Sequence, residues 1–168
     1  LVLALTAAGR PADAALELDG IWSDSPDRLE YIIAGAEIDV TRGRPELAAE
    51  KLAKELENSP GNHPITMAYA NALMKAQQPH IAEEVLIAQS RVLPKDPGLW
   101  YLLAEAYGLA NDIAGVHEAR AEFFVLNGNF DQAIKQLGYA LPLVRHNFQQ
   151  SARIKQRLDE IWEMKGGT

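Results

Sequence analysis

The feature that most constrains this chain is a period. Prolines stand at Pro26, Pro60 and Pro94, 34 residues apart, and a second series at Pro11, Pro45 and Pro79 keeps the same interval. Ala14, Ala48 and Ala82 repeat in step, as do Leu18, Leu52 and Leu86. Gly9 and Gly43 have Gln77 as their third counterpart. Ladders that share one interval point to a supersecondary unit copied along the chain, which buries its apolar face only by stacking on its neighbours. An interval of 34 residues suits a helix–turn–helix. The glycine permits the left-handed residue that ends a first helix. Proline opens the second helix, where its missing N–H would be unpaired in any case. The alanine lets two helices approach closely, and the leucine four residues later fills the space between them. The last proline of each unit stops the second helix.

Composition agrees with a helical reading. The chain is 48% hydrophobic but only 7% aromatic, with alanine and leucine, both strong helix formers, prominent. A net charge of −7 argues against a nucleic-acid binder, which usually presents a basic face. The one basic stretch is the last, where Arg145, Arg153, Lys155, Arg157 and Lys165 outnumber Asp159, Glu160 and Glu163; a solvated helix face accounts for it. The absence of cysteine excludes a disulfide framework and thiolate metal sites. No apolar run approaches the roughly 20 residues needed to span a bilayer. The opening LVLALTAAG is expected to be part of a helix that starts upstream.

The sequence resembles the tetratricopeptide family in Trp100, Leu103, Ala104 and Tyr107, which fit W-x2-L-G-x2-Y, and in Ala82, Leu86 and Pro94, which fit A-x3-F and the closing proline of the preceding unit. The expected fold is therefore all-α: a tetratricopeptide-type solenoid of helical hairpins with about ten helices. Expected units cover about 1–28, 29–62, 63–96, 97–127 and 113–145 of one domain spanning 1–168. The last two overlap for a reason. After Tyr107 the next Ala-x3-Leu should fall at Val116 and Arg120, and it reappears only at Ala133 and Leu137, behind Phe124 and Gly128. One helix near 113–127 is thus expected to serve two hairpins. A last helix near 147–165, with Phe148, Ser151, Ile154, Leu158, Ile161 and Trp162 on one side, fits a terminal cap whose outer face is polar.

Catalytic and metal chemistry find no residues. His117-Glu118 begins like the zinc-protease motif HExxH, but Ala121 stands where the second histidine must be to face the same metal. His63, His80 and His146 lack ligand spacing, and no nucleophile elbow or phosphate loop occurs. No catalytic residue, metal or cofactor is assigned, and the chain is not expected to be an enzyme.

A more specific likeness lies in the last third. Ala119, Arg120, Ala121, Glu122, Phe124, Gly128, Asp131, Gln132, Ala133, Ile134, Gln136 and Leu137, then Ala152, Arg153, Ile154, Arg157 and Leu158, look like the C-terminal repeat domain of the periplasmic beta-barrel assembly-enhancing protease family. Asp96-Pro97-Gly98-Leu99-Trp100 and the half-repeat slip are similar too. The resemblance implies a repeat domain of a bacterial zinc metalloprotease, a periplasmic location and quality control of outer-membrane proteins. Implied partners are assembly components, misfolded clients and the protease domain itself.

In this fold the first helix of each unit lines the inner surface. The positions expected there are Glu30, Ile33, Glu37 and Val40; Met67, Asn71, Met74 and Lys75; Tyr101, Glu105 and Leu109; and Glu118 and Glu122. Glu37, Asn71, Glu105 and Glu122 hold one equivalent place. The expected groove is acidic with apolar steps, suited to basic or partly unfolded segments. Ile33, Ala68, Gly98 and Leu102 stand where a carboxylate clamp would need polar side chains, which argues against a chaperone-tail binder. Two readings from different classes remain open at this point: a binding module for such segments, and a structural lid that regulates an attached protease. A generic scaffold unrelated to a protease would look the same in the ladders.

Overall fold

A computed structural model describes residues 1–22 and 28–166. These residues form ten α-helices and no strand: α1 Val2–Ala7, α2 Pro11–Trp22, α3 Leu29–Thr41, α4 Pro45–Asn58, α5 His63–Lys75, α6 Pro79–Val92, α7 Pro97–Leu109, α8 Ile113–Leu126, α9 Phe130–Leu143 and α10 Phe148–Gly166. They fall into two compact units, 1–85 and 86–168, with the border inside α6. Pro26 lies outside the described residues.

The ladders take the places their chemistry requires. Pro11, Pro45 and Pro79 are the first residues of α2, α4 and α6. Ala14, Ala48 and Ala82 are fully buried, and Leu18, Leu52 and Leu86 are at most 4% exposed. The turn between the helices of a hairpin hangs on one left-handed residue. Gly9, Gly43, Gln77, Asn111 and Gly128 have φ of 70°, 73°, 60°, 65° and 71°. Around each, two backbone bonds close the preceding helix. Around Gly43 these are Gly43 N–H to the Val40 carbonyl and Arg44 N–H to the Asp39 carbonyl. The same pair recurs at the other four. This double bond satisfies carbonyls that the helix end would otherwise leave unpaired. Asn111 continues the Gly9–Gly43–Gln77 series at 34 residues; Gly128 follows it after 17, half a period. The half-period is the register slip expected from the sequence.

In unit 1, α1 packs on α2 and α3, and α3 lies against α2, α4 and α5. One core cluster joins Val2, Ala14, Leu18, Ala34 and Ile38, flanked by Leu5, Ala15 and Tyr31. In unit 2, α8 packs on α7 with one side and on α9 with another. Gly115, Val116 and Ala119 are buried on α8, and Val116 occupies the place where the Ala-x3-Leu signature failed. Ala121 enters the second cluster with Ala133, Leu137, Ala140, Val144, Ile154 and Ile161. The helix serves two hairpins because both its sides are apolar, with Phe124 and Val125 adding to the second.

The cap α10 buries Ile154 and Ile161 and half-buries Leu158 and Ser151. Two residues of the expected stripe do not join it. Phe148 is 85% exposed at the first position of α10, before the helix meets α9, and Trp162 is 54% exposed, one step of about 100° off the line through Ile154 and Ile161. Lys165 Nζ lies 5.2 Å from the Trp162 ring centre.

Two kinds of glycine-related position follow from this geometry. Gln77 and Asn111 hold a conformation that costs an ordinary L-residue about 1 kcal/mol or more. Gln77→Gly should therefore raise stability by about 0.5–1 kcal/mol, and Asn111→Gly by less, because asparagine tolerates this region better. Urea unfolding of each variant measures the difference. Gly115 is the opposite case: a Cβ there would sit 2.6 Å from Asp112 Oδ2 and 2.7 Å from Tyr107 Cδ1. Gly115→Ala should destabilise by about 1–3 kcal/mol despite alanine's helix preference. Gly138→Ala, where nothing lies within 4 Å, should be neutral or stabilising in the same assay.

Candidate functional site

The expected inner-face residues of unit 1 divide by burial. Glu37, Asn71 and Lys75 line one cavity of about 290 Å³ together with Val40, Ala68 and Leu3. Ile33 and Met67 are half-buried beside this row. Met74 is only 5% exposed and belongs to the core, so it does not present its thioether to a partner. Glu30 is exposed at the start of α3, 3.6 Å from Arg28 Nε, and that guanidinium lies 5.3 Å from the Tyr31 ring centre.

Glu37 is the chemically distinctive member. Burial raises its carboxyl pKa above the ordinary value. No side-chain donor or cation answers its carboxylate among the described residues; its backbone carbonyl also accepts from Thr41 Oγ1 at 2.8 Å. Glu37 is exposed as a residue, so this partial desolvation is a modest bias against its charged form that a nearby cation would offset. Its sign follows from position 37 of the sequence. Its perturbation comes from partial desolvation, and Leu3 and Ala7 of α1 and Ala68 of α5 line the same cavity.

Unit 2 separates residues that the repeat register had grouped. Tyr101 and Glu105 share a cavity of about 310 Å³ with Ala104, Arg120, Phe123, Phe124 and Gln136. The Tyr101 ring is 6.0 Å from Phe123, and Phe123 is 5.6 Å from Phe124 in an edge arrangement. Tyr101 is 56% exposed, so this aromatic step is open to solvent. Leu109 is also exposed, further along α7.

Glu118 and Glu122 line a different cavity, of about 440 Å³, with Trp100, Tyr107, Arg91, Arg153 and Arg157. Both carboxylates are engaged. Glu118 accepts from Arg153 Nη2 at 2.6 Å and from Gln150 Nε2 at 2.7 Å. Glu122 accepts a two-pronged bond from Arg157 Nε and Nη2, each 2.7 Å, while Arg157 Nη1 donates to Glu160 at 2.7 Å. These bonds, Glu122's first, raise the Arg157 pKa, and Arg157 in turn lowers that of Glu160. The planar fork matches a carboxylate in two bonds at once. Two acids expected to attract a basic partner thus already hold one, the protein's own α10. Lys165 pairs with Asp131 likewise, so three cations of the basic tail are spent inside unit 2.

His117 Nδ1 lies 2.8 Å from Gln136 Oε1, and its ring centre is 5.5 Å from that of Tyr139. Glu118 turns away from it toward Arg153, which separates the pair that began like a zinc motif. Among the described residues no group of three histidines or carboxylates could hold a metal ion, and no helix is long and apolar enough to cross a membrane. Sequence reasoning missed Arg120, Phe123, Phe124 and Gln136. Their signal was a Phe-Phe step beside an arginine on the shared helix, hidden because that helix was read mainly as core.

Residues 40–106 match the family described as Tetratricopeptide repeat. The Beta-barrel assembly-enhancing protease of Escherichia coli (strain K12) is 28% identical over 155 residues, 91% of this chain. The chain spans 31% of that relative's length. Among solved structures, a thermophilic TPR protein of Thermus thermophilus matches with a TM-score of 0.59 and 19% identity, covering 94% of this chain and 95% of that one. MamA 41-end from Desulfovibrio magneticus RS-1 matches with a TM-score of 0.62 and 18% identity, covering 99% and 92%. At such identities the structures speak to fold alone. Ladders, left-handed turns, the family match over residues 40–106 and the solved structures agree on a tetratricopeptide-type helical solenoid, similar over most of its length to part of a beta-barrel assembly-enhancing protease.

Proposed function

We propose that this chain is the client- or assembly-machinery-binding domain of a bacterial periplasmic protease that acts in outer-membrane protein quality control. The observation that carries the reading is Glu37: an exposed residue whose carboxyl is partly desolvated and makes no ion pair among the described residues, in one cavity with Asn71, Lys75 and apolar side chains. A cationic or partly unfolded segment supplies the missing counter-charge and covers the apolar wall. Tyr101, Phe123 and Glu105 make a second, aromatic and acidic step in unit 2, in a cavity that Arg120 also lines. The relatives, beta-barrel assembly-enhancing proteases, support the setting. The periplasmic location and the protease domain belong to this proposal.

The test uses a fluorescein-labelled peptide of alternating lysine and leucine, followed by anisotropy. Glu37→Lys with Glu105→Lys should weaken binding by about tenfold or more, and raising ionic strength should weaken the native complex. Unchanged affinity in the double variant would sink the assignment. Glu118 and Glu122 are unsuitable for reversal because each holds an arginine of α10.

The raised pKa of Glu37 adds a pH signature. In the free protein its folded-state pKa exceeds that of the unfolded chain, so this residue costs stability as pH rises through the folded pKa and costs none once protonated. A cationic ligand favours the ionised form, so binding should release a proton near that pKa. Affinity for the lysine peptide should therefore begin to fall, on acidification, at a higher pH than an unperturbed glutamate would set. In Glu37→Gln that early part of the fall should vanish. Titration calorimetry in two buffers of different ionisation enthalpy measures the proton directly.

A further inference from the structure

Unit 1 holds a second and larger cavity, about 770 Å³, between α2 and α4 with α3 as its floor. Its residues depart from the repeat. Gly35 and Asp39 stand where the next two copies have Tyr69 with Leu73 and Leu103 with Tyr107; Lys51 stands where they have Val85 and Ala119. Leu73, Leu103 and Ala119 are buried apolar core. This copy alone puts a carboxylate and an ammonium at those places.

Asp39 is 4% exposed and accepts from Arg44 Nη2 and Lys51 Nζ, both at 2.6 Å. Burying such a cluster usually stabilises less than the apolar side chains it replaces. Leucine at this place would serve the stack better, as it does in the next copy. What Asp39 does that leucine cannot is aim two cations. Arg44 keeps four of its five N–H donors free of Asp39, and Lys51 two of three. Both side chains are about half exposed, so these donors face the cleft. Arg42 and Lys54 line it as well, and their side chains make no ion pair or hydrogen bond among the described residues. Against these four cations the wall carries Asp39, already engaged, with Asp19 and Glu55; Ile32 and Ala15 add apolar surface.

We propose that this cleft docks an acidic segment of a partner protein. Side-chain carboxylates of the segment would meet Arg42, Arg44, Lys51 and Lys54, and its apolar side chains would lie on Ile32 and Ala15. Charge complementarity selects this occupant: a chain of net charge −7 gathers four cations around this cavity. The face is separate from the Glu37 cavity, which is lined by α1, α3 and α5, and takes a partner of opposite sign. Asp39 is a positioning residue here.

The experiment measures anisotropy of a labelled decapeptide of alternating aspartate and leucine, with an asparagine–leucine decapeptide as its neutral twin. The aspartate peptide should bind and the twin should not. Arg42→Glu with Lys54→Glu should weaken binding by about tenfold or more, while Glu37→Lys with Glu105→Lys should not weaken it. Asp39→Leu should melt at a higher temperature yet bind more weakly, because the two cations lose their orientation. Equal binding of both peptides, or indifference to the Arg42/Lys54 reversal, would overturn the proposal. Displacement of the peptide by inorganic sulfate at an equal concentration would overturn it too, by making this a small-anion site. Arg42 and Lys54 are exposed and make no ion pair among the described residues, so their variant carries the test even where Asp39→Leu does not fold.

Discussion

Within each hairpin the backbone bends back at one residue held in the left-handed region: Gly9, Gly43, Gln77, Asn111 or Gly128. Two hydrogen bonds close the helix before each of them, and the next helix starts within a few residues. Short connections of this kind place consecutive helices antiparallel and in contact. The buried alanines then decide how closely they approach, and the leucines fill what remains. Everything else described for this chain is arranged on that scaffold, including the faces left for partners.

Much of the scaffold was legible because it depends on residue types with few substitutes. Proline at a helix start, glycine at a left-handed turn and alanine at a close crossing each serve a local physical need, so a simple interval reveals them. Legibility faded where a substitute served. Asn111 completes the turn series without being glycine, and Val116 fills an alanine's place on α8, so the repeat looked broken where it was only spelled differently. The shared helix was still readable, because Gly128, Ala133 and Leu137 resume the pattern half a period late.

The surfaces were less legible for a different reason. Which helix face a residue occupies is set by its register, but whether its charge is available depends on distant side chains. Glu118 and Glu122 occupy places like those of Glu37 and Glu105, yet Arg153 and Arg157, each 35 residues downstream, already hold them. Nothing local to α8 announces that. Met74 illustrates the same limit for apolar residues, since its placement on an inner-face row did not reveal that neighbouring helices cover it. Asp39 ran the other way: its break with the ladder was visible, but the convergence of Arg44 and Lys51 on it needed the fold.

The shared helix has a thermodynamic consequence. In a regular array each hairpin meets its neighbours through separable interfaces, so stability is close to a sum of independent links, and ends can unravel stepwise. In unit 2, α8 gives Val116 and Ala119 to one hairpin and Ala121 to the next. Opening either hairpin strips apolar surface that the same helix needs to stay ordered for the other. Two links are thereby merged into one cooperative element, which makes α7 through α9 an all-or-none block inside an architecture that otherwise allows piecemeal loss.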